Sequence, residues 1–308
     1  MVRHRIASIA GVAAWALLPT VLPVHYVDLL VFSAILAIGG LGVGFLLGQA
    51  GIINLAQAGF YGIGAYASAY CIVTLHWSAW IGLAVGLAVS AVVAAAIGWP
   101  ILRLNGHFLA LATLALLVIF NALFLEWDWL TGGSLGISGV PKISAFGYAL
   151  DSPRKFYYFV WPLTVAIFWL VANVTRGRTG LAMRAMRDSP DAARVMAVDS
   201  TVLRAKLFVL SALLGSISGT LFAHYVGYIS VESFTVERTI FFLLAPVIGG
   251  LRNPWAAIPG AIFVALVPEV LSPLGDVYRV LFGLALMLII MLFPAGLLGR
   301  WARSDGAH

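Results

Sequence analysis

Hydrophobic runs of membrane-spanning length fill most of this sequence and constrain its fold more than any other feature. An α-helix needs roughly 20 mainly apolar residues to cross the hydrocarbon core of a bilayer. Ten such runs can be placed, at roughly 7–24, 28–47, 58–75, 79–100, 107–125, 156–175, 207–227, 239–251, 255–272 and 276–294. Only 10% of the residues are charged, against about 25% in soluble domains. The sequence therefore predicts an all-α, polytopic integral membrane protein with about ten transmembrane helices, in a single transmembrane domain over residues 1–308.

Two of the runs leave an alternative open. The run at 239–251 is short and contains Pro246, Gly249 and Gly250, which is typical of a broken or re-entrant helix as well as of a full span. The first run follows Arg3 and Arg5, as the apolar part of a cleaved signal peptide also does. Because no small-x-small cleavage pattern follows it, we expect an uncleaved first span.

The distribution of Lys and Arg predicts which loops face the cytoplasm, because cytoplasmic loops carry an excess of these residues. If ten spans alternate from a cytoplasmic N-terminus, thirteen of the eighteen Lys and Arg residues fall on that side. This predicts cytoplasmic N- and C-termini and a cytoplasmic loop at 176–206. It leaves the Gly- and Ser-rich stretch 126–155 outside, either as an ordinary loop or as a lip that receives a partner. The net charge of +6 then reflects topology and not nucleic-acid binding.

Motifs for enzyme chemistry or nucleotide binding are missing from the sequence. It contains no G-x-x-x-x-G-K-[ST] run and no H-E-x-x-H, its six histidines are scattered, and its one cysteine cannot form an intrachain disulfide. His107, His224 and Glu269 are candidates for a proton relay. Each lies near the end of a predicted span, however, where water is close and an ionisable group costs little free energy. We expect no enzyme and no bound cofactor. The chain is then a passive channel, an ion-coupled secondary carrier, or a transporter powered by a docked partner.

The second and third runs are dense in small residues, and a polar interruption separates them. Gly40, Gly44 and Gly48 have the small-xxx-small spacing that lets helices approach closely in lipid. Gln49, Asn54 and Gln57 are either a solvated turn or a break in helix that forms a site or gate. Asn121 is the deepest strongly polar side chain and is more typical of a bond to a neighbouring helix. The candidate residues for a translocation path or gate are Asn54, Gln57, Tyr61, Gly62, Gly64 and Asn121.

The stretch 188–198 has the pattern of a capped amphipathic helix. Ser189 can cap it, Pro190 suits the first turn, and Asp191 complements the positive N-terminal end. Apolar residues then lie on one side, which fits a groove in a soluble partner or, alternatively, a lipid surface.

Several stretches resemble known permeases. Asp191-Ala192-Ala193, followed by Ala197, resembles the "EAA…G" loop of ATP-binding-cassette (ABC) importer permeases, with Asp for Glu and Ala for Gly. Residues 59–66 (GFYGIGAY) resemble the "FFGIGAY" run of branched-chain amino acid permeases of the LivM type. Further stretches that match this family in order are 103–114, 131–141, 223–230, 232–234 and 293–297.

The resemblance implies a permease subunit of an ABC importer in the bacterial inner membrane. It would carry branched-chain amino acids or a related small solute, paired with a second, similar permease, two cytoplasmic ATPase subunits that use the ATP, and a periplasmic solute-binding protein. The ATPases would act through the loop 188–198. The residues expected to form this coupling loop are Asp188, Asp191, Ala192, Ala193, Arg194 and Ala197.

Overall fold

The computed structural model describes residues 15, 17–104, 106–145, 148–189, 199–275, 277–292 and 296. Within these ranges the chain is almost entirely helical. The longer helices are α1 (Val24–Ala50), α2 (Gln57–Val73), α3 (Ala79–Ile101), α4 (His107–Glu126), α5 (Pro153–Arg176), α6 (Arg178–Asp188), α7 (Ser200–Val226), α8 (Val236–Gly249), α9 (Ala257–Leu271) and α10 (Val277–Leu292). A helical turn lies at Asp128–Thr131, and single 3-10 turns lie at Gly133–Leu135, Val231–Phe234, Pro254–Ala256 and Ser272–Leu274.

Four two-residue strands complete the described secondary structure. They are β1 (Ile137–Ser138), β2 (Ser144–Ala145), β3 (Tyr148–Ala149) and β4 (Tyr228–Ile229). β2 and β3 form a small antiparallel pair. β1 pairs with β4 antiparallel, with Ile137 opposite Ile229, so the segment between α4 and α5 is tied to the end of α7.

The all-helical, polytopic character predicted from the sequence is confirmed. Among the described residues, six helical stretches are long and apolar enough to cross a membrane: Val24–Ala50, Ala79–Ile101, His107–Glu126, Pro153–Arg176, Ser200–Val226 and Pro254–Leu271. Half of the first predicted span, at 7–24, lies outside the described residues. The count of ten spans and the sides of the termini stay predictions. Residues 239–249 of the short run at 239–251 lie in one continuous helix of 14 residues, α8, with Pro246 inside it.

Two segments differ from the expected loops. The stretch 176–206 contains the end of α5, the whole of α6 and the start of α7, which begins at Ser200 and not near 207. The backbone amides of Thr201 and Val202 donate to the Asp199 carboxylate, so this N-cap extends α7 past Arg204 and Lys206. The segment 126–155 is likewise not a plain loop, because it contains a helical turn and three strands.

Contacts between helices fix the direction in which each one runs. Gly39, Gly44 and Gly48 of α1 meet Phe242, Pro246 and Leu251 in the same order, so α1 and α8 are parallel. α2 and α7 are also parallel, because Gln57 contacts Ser211 and Ser68 contacts His224. The helix bundle thus has two opposite ends, each formed by the ends of several helices. We call one the basic end (Arg176, Arg184, Arg187 and Arg252) and the other the acidic end (Asp28, Glu126, Asp151 and Glu269).

The core lies where α1, α2 and α7 pack together. Buried residues are found on all sides of α1 and α7, and nearly all of α2 is buried, whereas α3 and α4 each expose a wide apolar face. An apolar exposed face suits contact with lipid, since lipid tails are as apolar as the side chains. The central trio therefore forms the framework against which α8 and α9 are held.

Candidate functional site

An apolar cavity of about 650 Å³ lies between α1, α8 and α9. We call it the central cavity. Its lining side chains are Leu29, Phe32, Ile35 and Leu36 of α1, Tyr61 of α2, Glu237, Arg238, Phe241 and Phe242 of α8, Val264, Ala265 and Pro268 of α9, and Phe282 of α10. Ligand pockets in proteins typically measure roughly 300–1,000 Å³ and have mostly apolar walls with a few polar groups. The central cavity has this size and character.

Glycines on one face of α1 hold α8 close enough to form the wall of the cavity. A Cβ at Gly44 would lie 2.4 Å from the Pro246 ring, and one at Gly48 would lie 2.0 Å from the Leu251 carbonyl oxygen. At Gly40 a Cβ would come within 3.0 Å of the Phe242 carbonyl oxygen. The close packing that the small-xxx-small spacing predicted is therefore confirmed, and its partner is α8.

Tyr61 is the sequence-predicted path residue that lies at the central cavity. Its ring centroid is 5.4 Å from that of Phe222, 5.5 Å from that of Phe234 and 5.2 Å from that of Phe242. Offset and edge-to-face aromatic pairs at such distances are favourable beyond the area they bury. Tyr61 is thus fixed in place with one part of its side chain at the cavity wall.

Two charged residues, Glu237 and Arg238, stand at the first turn of α8 on the cavity edge. The Arg238 guanidinium lies 5.7 Å from the ring centroid of Phe222. This cation–π contact holds the charge against an aromatic surface. Both residues precede the predicted apolar run at 239–251, and the sequence analysis missed them as site residues. The signal was a charged pair at the start of an unusually short apolar run.

Gly62 and Gly64 lie on other faces of α2. A Cβ at Gly62 would lie 2.4 Å from the Phe124 ring, and one at Gly64 would lie 2.1 Å from the Ser216 carbonyl oxygen. Both positions therefore bring α2 close to its neighbours. Asn121 donates hydrogen bonds to the carbonyl oxygens of Leu117 at 3.0 Å and Phe234 at 3.1 Å. The expected bond from Asn121 to a neighbouring element is confirmed.

Asn54 and Gln57 form a buried hydrogen-bond cluster with Ser211 of α7. Gln57 Nε2 donates to the carbonyl oxygens of Gly39 at 3.0 Å and Ser211 at 3.1 Å. Gln57 Oε1 accepts from Asn54 Nδ2 at 3.1 Å and from Ser211 Oγ at 3.0 Å. Asn54 and Gln57 are both 0% exposed, so the alternative of a solvated turn is wrong. Neither lines the central cavity, and a part in the path stays a prediction.

The backbone that leads into this cluster is not helical, but its amide groups have hydrogen-bond partners. The Leu55 amide donates to Thr113 Oγ1 at 3.1 Å, and the Ala56 amide donates to Asn54 Oδ1 at 3.0 Å. The Ala58 amide, at the start of α2, donates to Thr239 Oγ1 of α8 at 3.1 Å. Non-helical backbone inside an apolar protein is tolerated where protein groups pair with it in this way. The break between α1 and α2 thus joins α2 to α4 and α8.

At the basic end, two arginines of α6 contact the ends of other helices. Arg187 donates to the carbonyl oxygen of Gly48, near the end of α1. Arg184 donates to the carbonyl oxygen of Thr175 at 3.1 Å and to Gln49 Oε1 at 3.5 Å. Gln49 Nε2 in turn donates to the Arg252 carbonyl oxygen at 3.0 Å, in the turn between α8 and α9.

The coupling-loop residues lie just beyond these contacts. Asp188 is the last residue of α6, and its carboxylate is 3.4 Å from Arg187 Nε, so it ends one helix and does not open the next. Asp191, Ala192, Ala193, Arg194 and Ala197 lie outside the described residues. Their helix, and its role in coupling, stay a prediction.

At the acidic end, His224 fastens the segment between α4 and α5 to the helix bundle. Its Nδ1 lies 2.7 Å from the Pro141 carbonyl oxygen, and its Nε2 lies 2.8 Å from Ser68 Oγ. A carbonyl can only accept, so Nδ1 carries the proton, and Ser68 donates to Nε2 of the neutral ring. With the β1–β4 pair, this contact gives the predicted lip a fixed position.

The other titratable candidates sit at the surface. His25 Nε2 and Glu269 Oε1 are 3.0 Å apart, with both side chains substantially exposed, and His107 is exposed at the start of α4. Among the described residues, no group of three or more His, Cys, Asp or Glu side chains is placed to hold a metal ion.

Comparison with known proteins identifies the chain's relatives. A family model described as the permease component of branched-chain amino acid transport systems matches residues 25–292. The high-affinity branched-chain amino acid transport system permease protein LivM of Escherichia coli is 30% identical, over 88% of this chain and 69% of its own length. The corresponding protein LivH of Salmonella typhimurium is 26% identical over 86% of this chain and 91% of its own length. BraD of Pseudomonas aeruginosa, also a permease protein of such a system, is 26% identical over 90% and 96%. No solved structure matches the chain.

Proposed function

We propose that this chain, which belongs to the family of permease components of branched-chain amino acid transport systems, is one of two permease subunits of an ABC importer. It would move branched-chain amino acids, or a related small solute, across the bacterial inner membrane. The family is one of transport permeases and not of enzymes. The hydrolysis of ATP is therefore assigned to separate ATPase subunits.

The observation that carries this proposal is the central cavity. Apart from Glu237 and Arg238 at its edge, its walls are aliphatic and aromatic, and burial of apolar surface contributes roughly 25 cal/mol per Å². An aliphatic side chain such as that of leucine gains from such contact, whereas urea or a small amide gains little. The cavity lies between helices that are held by parallel packing of α1 and α8, so a shift of either helix changes its shape.

The basic end is proposed to face the cytoplasm. With ten alternating spans, both termini and most of the Lys and Arg residues lie on that side. Those described at this end include Arg176, Arg184, Arg187 and Arg252. The acidic end, with the lip between α4 and α5, would then face the periplasm and receive a solute-binding protein.

The cytoplasmic loop 176–206 is proposed to connect the ATPases to the cavity. α6 contacts the C-terminal ends of α1 and α5, and through Gln49 it reaches the turn between α8 and α9. Of the helices contacted in this way, α1, α8 and α9 line the central cavity. A push on residues 188–198 from a docked ATPase would move α6 and, with it, the helices around the cavity.

A second, similar permease is the proposed partner within the membrane. The chain resembles both LivM and LivH, and each of these is the permease protein of a branched-chain amino acid system. Two related permeases forming one path would each bury part of the apolar surface now exposed. Two ATPase subunits, a periplasmic binding protein and membrane lipid complete the proposed set of partners.

The proposal is tested by filling the cavity. Ala265→Trp places a large ring in the central cavity, whereas Ala96→Trp adds the same ring on the exposed face of α3. In a strain deleted for this chain, the wild type and Ala96→Trp should restore leucine uptake, and Ala265→Trp should not. Normal uptake by Ala265→Trp at equal membrane level, or uptake that persists without the ATPases and stops with a protonophore, would overturn the proposal.

A further inference from the structure

A second, smaller cavity of about 250 Å³ opens at the acidic end. We call it the vestibule. Its polar wall contains Asp28, Lys142, Asp151 and Tyr225, and Phe32 lines it on the side of the central cavity. Phe32 also lines the central cavity, so its side chain is a wall common to the two cavities.

Tyr225 holds two opposite charges in fixed positions on the vestibule wall. Its hydroxyl donates to Asp28 Oδ1, and its carbonyl oxygen accepts from Lys142 Nζ. The Lys142 ammonium also lies 5.4 Å from the Tyr225 ring centroid. The ring itself is packed between Phe32 at 5.3 Å and Phe156 at 4.7 Å.

These two charges are not paired with each other. Among the described residues the ion pairs are His25–Glu269, Lys155–Asp151 and Arg187–Asp188, so Asp28 and Lys142 stand more than 4.0 Å apart although each lines the same cavity. An ammonium group has three donors and a carboxylate about four acceptor sites. Each group therefore keeps hydrogen-bonding capacity beyond its contact with Tyr225.

A zwitterion is the ligand that this arrangement suits. We infer that the vestibule binds the head group of an α-amino acid, with Lys142 contacting the carboxylate, Asp28 contacting the ammonium, and the side chain lying against Phe32 toward the central cavity. Charge-assisted hydrogen bonds at both ends make recognition depend on the presence of both groups. This inference rests on the proposed function and narrows it, because the permease itself would then reject amides and simple carboxylic acids of the same side chain.

The test uses a cysteine reporter in the complete importer in membranes. Cys71, the only native cysteine, is buried, and Val226 lines the vestibule with an exposed side chain. Val226→Cys should therefore react with a membrane-impermeant maleimide, and leucine should slow the reaction. Leucinamide, which lacks the carboxylate, and 4-methylpentanoate, which lacks the ammonium, should protect about tenfold less well. Equal protection by all three compounds, or none by leucine, would overturn the inference.

Matched variants separate recognition from structure. On the Val226→Cys background, Lys142→Met and Asp28→Asn should raise the leucine concentration needed for protection by about tenfold. Lys206→Met removes an exposed ammonium group at the basic end, Glu269→Gln removes a carboxylate elsewhere at the acidic end, and both should leave it unchanged. Lys142→Arg retains the charge and should restore protection, which a purely structural loss would not predict. Unchanged protection in Lys142→Met would overturn the inference.

Leucine uptake by the same importer distinguishes a failure of the vestibule inference from a failure of the proposed function. Uptake that depends on this chain, together with a failure of leucine to protect Val226→Cys, overturns the inference and leaves the proposed function standing. Uptake that does not depend on this chain overturns the proposed function as well.

Discussion

The guanidinium of Arg187 donates a hydrogen bond to the carbonyl oxygen of Gly48, although the two residues are 139 positions apart in the chain. The last four carbonyls of a helix have no partner within that helix, and a cation near them also complements the helix dipole. Arg187 therefore stabilises the C-terminal end of α1, the helix whose other half lines the central cavity. The contact is a direct physical link between the proposed coupling segment and the proposed path.

Arg187→Ala should uncouple the importer. Without the guanidinium, α6 keeps only the 3.5 Å hydrogen bond from Arg184 to Gln49 of α1 among the described residues, so movement of α6 is transmitted less well to the cavity. We expect ATP hydrolysis by the complete importer to persist while leucine uptake falls several-fold, with both rates measured in the same proteoliposomes. Arg178→Ala is the matched control, because Arg178 is exposed on the same helix. A fall of both rates in equal proportion would show that Arg187 serves assembly and not coupling.

Glycine substitutions in α2 should differ according to what the new methyl group meets. At Gly64 a Cβ would lie 2.1 Å from the Ser216 carbonyl oxygen, which is backbone and cannot move aside. At Gly62 it would meet the ring of Phe124, which can shift. We expect Gly64→Ala to lower the melting temperature of the purified protein far more than Gly62→Ala does.

Gly283→Ala provides the control for helix propensity in this comparison. Gly283 lies inside α10 with nothing within 4 Å of its would-be Cβ, and Ala is favoured over Gly in a helix interior by roughly 1 kcal/mol. This variant should match or slightly exceed the wild type. Equal melting temperatures for Gly64→Ala and Gly283→Ala would contradict the close approach of α2 to α7.

Hydrophobic patterning predicts most of this fold because membrane-spanning length is a strong signal. The apolar runs at 79–100, 107–125 and 156–175 each match a helix to within a few residues. The pattern failed where a polar residue caps a helix. Asp199 caps α7, which begins at Ser200, seven residues before the expected start, and Arg204 and Lys206 made its first turns look like a loop. A local hydropathy pattern shows where a helix is apolar. It does not show that an N-cap starts the helix earlier, in a turn that carries charged residues.

The candidate site was harder to predict, since it depends on contacts between distant segments. Tyr61 was placed in the path and does line the central cavity, but Arg238, Phe242 and Phe32 were missed. Asn54 and Gln57 were predicted to form a solvated turn or a gate, and only the solvated turn is wrong. Their amides pair with Gly39 and Ser211, which lie up to 157 positions away in the chain. No local pattern shows where such a partner will lie.

Gln57→Leu should destabilise the protein strongly. The change removes the side-chain donor shared by the carbonyl oxygens of Gly39 and Ser211, and it removes the oxygen that accepts from Asn54 and from the Ser211 hydroxyl. An unsatisfied buried polar group costs roughly 1–3 kcal/mol, so a shift of several degrees in melting temperature is expected. Gln49→Leu, which breaks the contacts of Gln49 with Arg252 and Arg184 at the basic end, should lower the melting temperature by less. Unchanged stability with an altered leucine-to-alanine uptake ratio would instead assign Gln57 to the path.

The pKa of Lys142 offers a check on the charges of the vestibule that needs no substrate. Partial burial disfavours the ammonium form and lowers the pKa of Lys142 below its ordinary value of about 10.4, while Asp28 acts in the opposite direction. Only the neutral amine reacts with acetic anhydride, so acetylation of Lys142, followed by mass spectrometry, should reach its half-maximal rate at a lower pH than an unperturbed lysine. Asp28→Asn removes the carboxylate that favours the charged form and should move this midpoint to still lower pH. Glu269→Gln, at the same end but paired with His25, should leave it in place. A midpoint that rises in Asp28→Asn would mean that Asp28 does not face Lys142 across the vestibule, and the pair could not then read the two ends of one zwitterion.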